Sequence, residues 1–395
     1  MGLVQVKDTM TQIALEPQRP SVPPTRSSSG ARARAVWDVM KKAAPTKLVT
    51  STAQARESNG LQAPSPLTAF LLDFSPVDWI LTGFFAILAG AVLLGSGPRR
   101  AESMALVAAD WVVLMTGLAL SRGGILEKGR FVSTLVYRLT VFGTIVSSYF
   151  ELRVILPEVR TRAVDASLFA LDMRLFHVEP SLAWDRFVTP QTTEWFAFFY
   201  FGYFFLLAIH TIPFALFVKN TDVIGRFALG IAIVFCIGHL TYMLVPGYGP
   251  YAYLTNDFHH ELSGGTFWGL VQEAVAAGGA QKDIFPSLHT AVPTFFALFS
   301  FRYRREIPAF RFSWPVVAFS ATQIICATMF LRWHYLIDIL AGISLAVAAD
   351  TLSAKLVPWD DRRRAARGLA PAWWPMSVPW SWRPRPTPAP ARSKR

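Results

Sequence analysis

Eight stretches of this chain are apolar over roughly 20 consecutive residues, the length that carries an α-helix across the hydrocarbon core of a bilayer. They run over about 79–97, 102–121, 131–150, 194–217, 223–245, 285–301, 313–331 and 334–354. In lipid every backbone N–H and C=O has to be satisfied within the segment, so runs of this length predict helices and not open sheet. Composition agrees with that reading. Hydrophobic residues make up 52% of the 395 positions and charged residues 16%, too little charge to cover a soluble domain of this size. The expectation is an all-α, polytopic membrane helical bundle.

The formal net charge of +12 does not point to nucleic acid. The basic residues sit in tails and short loops between apolar runs, which suits anionic lipid headgroups. Cys236 and Cys326 both lie inside apolar runs, so no disulfide framework or cysteine-based metal site follows from them. Residues 1–66 are rich in Pro, Ser, Arg and Lys and read as a disordered basic tail. Residues 1–12 lack the apolar centre of a secretory signal, and no cleavage is expected. A second tail is expected from about Pro358, so that 355–395 forms a basic Pro- and Trp-rich segment containing Arg362-Arg363-Arg364 and Trp373-Trp374-Pro375. Those tryptophans either rest at the membrane interface or belong to an unstructured Pro-rich stretch.

Orientation follows from where Lys and Arg fall. Both tails are basic, and so are the loops holding Arg122, Lys128 and Arg130 and then Arg302, Arg304, Arg305 and Arg311. The loop 246–284 holds a single basic residue, Lys282. Eight spans with both termini cytoplasmic satisfy this pattern and put 246–284, with the starts of the sixth and eighth spans, on the outer or luminal face. The loop 151–193, with five arginines, departs from it; at that length the charge rule is weak. Both long loops exceed simple connections and predict function or extra structure.

Two of the seven histidines stand where an apolar run meets that outer face. One lies in Phe285-Pro286-Ser287-Leu288-His289-Thr290, the other in Arg332-Trp333-His334-Tyr335-Leu336-Ile337-Asp338. His334 and Asp338 are spaced i and i+4, which puts them on one helix face. A carboxylate on one imidazole nitrogen fixes the tautomer and raises the basicity of the other, as a nucleophilic or general-base histidine requires. An aspartate inside an apolar helix is costly and points to function. The bland alternative is a satisfied polar pair near a helix end. Two such motifs at the same edge favour chemistry.

These residues resemble the type 2 phosphatidic acid phosphatase superfamily, in the lipid phosphotransferase branch that includes inositol phosphorylceramide synthase. Pro286-Ser287-Leu288-His289 matches the branch's second motif, and His334-Tyr335-Leu336-Ile337-Asp338 its third, over a resemblance spanning about 130–354. It implies a six-helix phosphatase-like core preceded by about two accessory spans within 67–129. It also implies that His334 is the nucleophile forming a phosphohistidine, that Asp338 orients it, and that His289 protonates the leaving alcohol, without metal or other cofactor. The superfamily's first motif, Lys then Arg-Pro, is missing; the nearest region is Pro246-Gly247-Tyr248-Gly249-Pro250. Ala327-Thr328 stands where the third motif usually carries Ser-Arg. The phosphate clamp must then be built differently, with Arg332, Lys282 and Arg153 as candidate cations that equally suit an interfacial role. Ser287 either bonds phosphate, caps a helix, or does both.

Other features carry less. The aromatic run 195–205, with Tyr200 and Tyr203, reads as packing or lipid-facing surface, with acyl-chain binding as the minor alternative. His259-His260-Glu261, near Asp257, reads as a solvated loop before a metal or head-group site. His210 and His239 read as packed and hydrogen-bonded, and Arg138 needs a buried partner. The expected activity is a membrane lipid phosphotransferase acting on a phospholipid, ceramide or polyprenyl-type substrate. The rivals are a lipid phosphate phosphatase using water, and a non-catalytic lipid transporter on the same scaffold. Intact His289, His334 and Asp338 argue against the last.

Overall fold

The computed structural model describes residues 65–159, 162–278 and 282–376; the N-terminal basic tail and the residues from 377 on lie outside them. A short α1 (Pro66–Leu72) leads into α2 (Pro76–Leu94), α3 (Arg100–Arg122) and α4 (Phe131–Val159). The first long loop holds α5 (Asp165–Phe176) and the one-turn α6 (Pro180–Ala183). Then come α7 (Pro190–Leu216), α8 (Thr221–Leu244), the one-turn α9 (Pro250–Tyr253) and α10 (Thr266–Gly278). The chain closes with α11 (Leu288–Tyr303), α12 (Pro308–Phe330) and α13 (Leu336–Ala366). Helix starts follow local chemistry. Proline occupies the first turn of α1, α2, α7 and α12, where its missing N–H costs nothing. Ser65, Thr189 and Asn220 accept the free N–H groups that open α1, α7 and α8. No strand occurs among the described residues.

Seven helices, α2, α3, α4, α7, α8, α12 and α13, are long and apolar enough to cross a membrane. The protein is therefore an all-α, multi-pass bundle. The eighth expected span differs. Its apolar run was expected to be helical from 285, but helix begins only at Leu288, after Pro286 and the N-cap Ser287. The resulting 16 residues extend roughly 24 Å, short of the roughly 30 Å hydrocarbon thickness. This α11 is a short, buried central helix that packs on α7, α8, α12 and α13. Helix α8 is the other central rod: from Val223 to Cys236 only Arg226 is not buried. Phe214, Phe227, Phe295, Phe296 and Phe299 fill the space between α7, α8 and α11, with Phe214 and Phe227 stacked at 4.0 Å.

One set of buried charges lies at the end of the bundle away from the histidine motifs, and its arginines find partners there, as a low-dielectric interior demands. Arg122 on α3 pairs with Asp78 on α2 at 2.5 Å and donates to the Tyr137 hydroxyl. Arg364 pairs with Asp73 at 2.8 Å and Asp360 at 3.0 Å. Arg138 donates to the carbonyls of Phe214 and Trp374 at 3.3 and 2.8 Å. The last two networks correct the expectation of a tail from about Pro358. Helix α13 continues to Ala366, and Ala372, Trp373 and Met376 beyond it are buried. Trp373 packs on the Tyr137 ring at 4.7 Å, so it rests on protein. The arginine run looks solvated in sequence because Asp73, which neutralises Arg364, lies at the other end of the domain.

Candidate active site

Both histidine motifs fold at the same end of the bundle. Helix α11 starts at Leu288, one residue before His289, and α13 starts at Leu336, two residues after His334. The two starts are tied together. The Ser287 N–H donates to the Asp338 carbonyl at 3.1 Å. A Cβ on Gly342 would lie 2.6 Å from the Ser287 carbonyl, so only glycine lets α13 approach this closely. His289 and His334 come to face one another with ring centroids 6.4 Å apart.

His334 is buried and its Nδ1 lies 3.4 Å from Asp338 Oδ2. The i, i+4 helical spacing is not what joins them, because His334 precedes the helix. Asp338 instead folds back as the cap of its own helix, accepting the Tyr335 N–H at 2.9 Å, and that return brings its carboxylate beside the imidazole. Arg332, at positive φ (66°), turns the chain between α12 and this segment. His289 is oriented by aromatic rings: Tyr200 stacks on it at 4.4 Å and Tyr203 packs on it at 4.3 Å.

A cavity of about 640 Å³ opens beside the two imidazoles. Its walls are His289 and His334, then Tyr149, Tyr200, Phe204 and Trp333 from the bundle, with Tyr248, Tyr251, Val275 and Asp283 from the loop 246–284. Asp283 is the charged side chain among these described lining residues, a role not seen in the sequence. Enclosure pushes its carboxyl above the ordinary range, against the smaller opposing effects of a backbone hydrogen bond and of His334. Tyr200 and Tyr203 were expected to be packing surface; they pack, but on His289. Elsewhere in the loop, Tyr253 is exposed and Trp268 joins the apolar cluster of Val188, Ala197 and Phe330.

The expected binding residues separate. Ser287 is buried at the N-cap position, yet its Oγ makes no capping bond and has no partner among the described residues. Lys282 holds its amine 5.4 Å from the ring of Tyr248, a wall residue. Arg153 is exposed and donates to the Ala277 carbonyl at 3.4 Å, next to the cavity residue Gly278. Arg332 is turned away. Its guanidinium pairs with Asp185 at 2.8 Å, donates to the His260 carbonyl at 2.5 Å and lies over the Phe258 ring. Burial would push the Asp185 carboxyl up, but bonds from His260 and the His259 N–H, with the Arg332 charge, hold it below its ordinary value. His260 thus braces the loop. His210 and His239 are packed and bonded as expected, to the Leu206 carbonyl and near Ser148 Oγ.

Chemically, the cavity offers two imidazoles facing one space, one beside a carboxylate and one between tyrosine rings, under an aromatic roof that limits bulk water. Next to it lies an apolar groove of about 880 Å³ between α4 and α7, lined by Phe142, Ile145, Val146, Leu207 and Ala208. Tyr149 and Phe204 belong to both spaces. No curated protein and no solved structure gives a significant match to the chain. Residues 166–352, which carry both histidine segments and every described element of the site except those on α4, match the model of the PAP2 superfamily, a match that supports membership of that superfamily without singling out a branch.

Proposed function

We propose that the protein is an integral membrane lipid phosphotransferase that moves a phosphorylated head group through a phosphohistidine on His334. The match of residues 166–352 to the PAP2 superfamily model supports the broader class, a lipid enzyme of phosphatase or phosphotransferase type. The observation that carries the reading is the pair of imidazoles, 6.4 Å apart on one cavity wall. One His334 nitrogen attacks phosphorus, the bond from phosphorus to the leaving lipid oxygen breaks, and His289 gives that oxygen its proton. An acceptor hydroxyl then attacks the phosphohistidine, returning a proton to His289 as the N–P bond breaks. Asp338 holds the His334 ring, and charge on the phosphoryl oxygens is met by Ser287 and the cations at the rim, Lys282 and Arg153. No bound metal is required in this scheme.

One feature favours transfer over hydrolysis: Tyr248, Tyr251 and Val275 line the cavity, which restricts bulk water more than a bound alcohol. The shared walls of cavity and groove suit a substrate whose apolar chain stays between α4 and α7. The test is to incubate purified protein with labelled phospholipids and sphingolipids, with diacylglycerol, ceramide or inositol as acceptors, with and without chelator. Head-group transfer that survives chelation and vanishes in His334→Ala is expected. Activity retained by His334→Ala overturns the nucleophile; release of free phosphate or free phosphorylated head group only, with acceptors abundant, selects the phosphatase reading. Loss on chelation, restored by zinc, selects a metal mechanism.

A further inference from the structure

Helix α5 has an inner stripe of the wrong polarity for a core helix: its buried residues are Asp165, Leu168 and Asp172. These fall at i, i+3 and i+7, one face of the helix. Two carboxylates turned inward demand partners, and the partners are the backbone just after His334, the Tyr335 hydroxyl and the backbone of the 248–249 turn. Asp172 accepts the Leu336 N–H at 2.7 Å on one oxygen and the Ile337 N–H at 2.9 Å on the other. With the Tyr335 N–H on Asp338, three consecutive donors that open α13 are held by two carboxylates, where the helix dipole also favours negative charge. Asp165 accepts the N–H groups of Tyr248 and Gly249 at 3.1 and 2.8 Å and the Tyr335 hydroxyl at 3.2 Å. The loop it holds closes back on the same segment, since the Tyr251 N–H donates to the Arg332 carbonyl at 2.8 Å. On the other side, the N–H groups of Trp333 and His334 donate to the Thr328 carbonyl. Neither aspartate lines the cavity.

We propose that α5 is the positioning element of the site, with Asp172 setting the place of His334 and Asp165 locking the Tyr248 wall to the same strut. The proposal rests on the reading in which His334 reacts. Losing Asp172 frees two part-buried donors next to the point from which the His334 side chain is hung, and a displacement near 1 Å of a reacting group costs on the order of a hundredfold in rate.

Asp172→Asn and Asp172→Ala are compared with Asn220→Ala, which removes a two-bond cap at the far end of α8. Two readouts are used: the separate values of kcat and KM for the lipid reaction, and the rate at which diethyl pyrocarbonate modifies His334, followed by peptide mass spectrometry. In Asp172→Asn, kcat is expected to fall roughly tenfold or more with KM within about twofold, and His334 modification to rise several-fold. Asp172→Ala goes further on both. Asn220→Ala moves neither beyond its effect on melting temperature. If monodisperse Asp172→Asn keeps kcat within about twofold and the wild-type modification rate, the positioning role is overturned. If His334→Ala stays active, the reaction assigned to His334 fails, while the modification rate still decides whether Asp172 fixes that side chain. Should Asp172→Ala not fold, Asp172→Asn, which keeps one acceptor, decides alone.

Discussion

The ring of His289 is held by aromatic faces, Tyr200 stacked at an interplanar angle of 13° and Tyr203 tilted at 41°. Such packing fixes the plane of an imidazole without adding charge to the site. Tyr200→Ala is expected to let that plane tilt and to lower kcat roughly ten- to a hundredfold. Tyr200→Phe keeps the ring and is expected to stay within about threefold. Steady-state rates of the two variants measure this, and equal losses would assign the effect to the hydroxyl instead. The histidines themselves were legible in sequence, because each sits beside a proline or an aspartate at the margin of an apolar run. Tyr200 was not, since a tyrosine in an aromatic stretch has the same signature whether it meets lipid or an imidazole far along the chain. Asp165, Asp172 and Asp283 escaped for a related reason: their partners are backbone groups or rings distant in sequence.

Helix α13 shows how an element can be read at one end and missed at the other. Its start is marked by a motif, while its last turns carry Arg362-Arg363-Arg364, which in isolation resembles a solvated stop. The structure turns Arg364 inward to Asp73 and Asp360 and folds the following segment over it, with the Ala370 and Ala372 carbonyls accepting from Arg364 and Arg122. Trp373 is the apolar anchor of that segment, packed on Tyr137 and against Gly225. Trp373→Ala is expected to destabilise the bundle by about 3 kcal/mol without altering the histidine cavity at the opposite end. A melting temperature in detergent lowered by several degrees, with turnover per folded molecule unchanged, is the expected outcome. An unchanged melting temperature would show that the segment contributes nothing to the fold.

At the scale of the whole molecule, the span lengths and the all-α class were legible because bilayer thickness imposes one length on every crossing. The short α11 was not, because a run of apolar residues does not reveal that its first residues leave the helix to line a site. Non-helical backbone at such a place is tolerated where protein covers it, as the contacts of Ser287 with α13 do. With α11 counted as a short eighth crossing, the charge pattern of the loops predicts both termini on one side and the cavity on the other. A cysteine in place of Ser263, exposed in the loop before α10, is expected to react with an impermeant thiol reagent in intact cells. Cysteines at Ser27 or Ser393, which lie outside the described residues, are expected to react only after lysis; the reverse pattern would invert the orientation.

Tyr149 and Phe204 stand as a common wall between the histidine cavity and the apolar groove. A substrate arranged across that wall reacts without leaving the bilayer, so the concentration it presents is a surface density and not an amount per volume. Diluting the substrate with inert lipid or detergent at constant bulk concentration is expected to lower the rate in proportion to its mole fraction. At fixed mole fraction, adding more membrane is expected to change little once the protein is inserted. A rate that follows bulk concentration alone would mean that the substrate arrives from water.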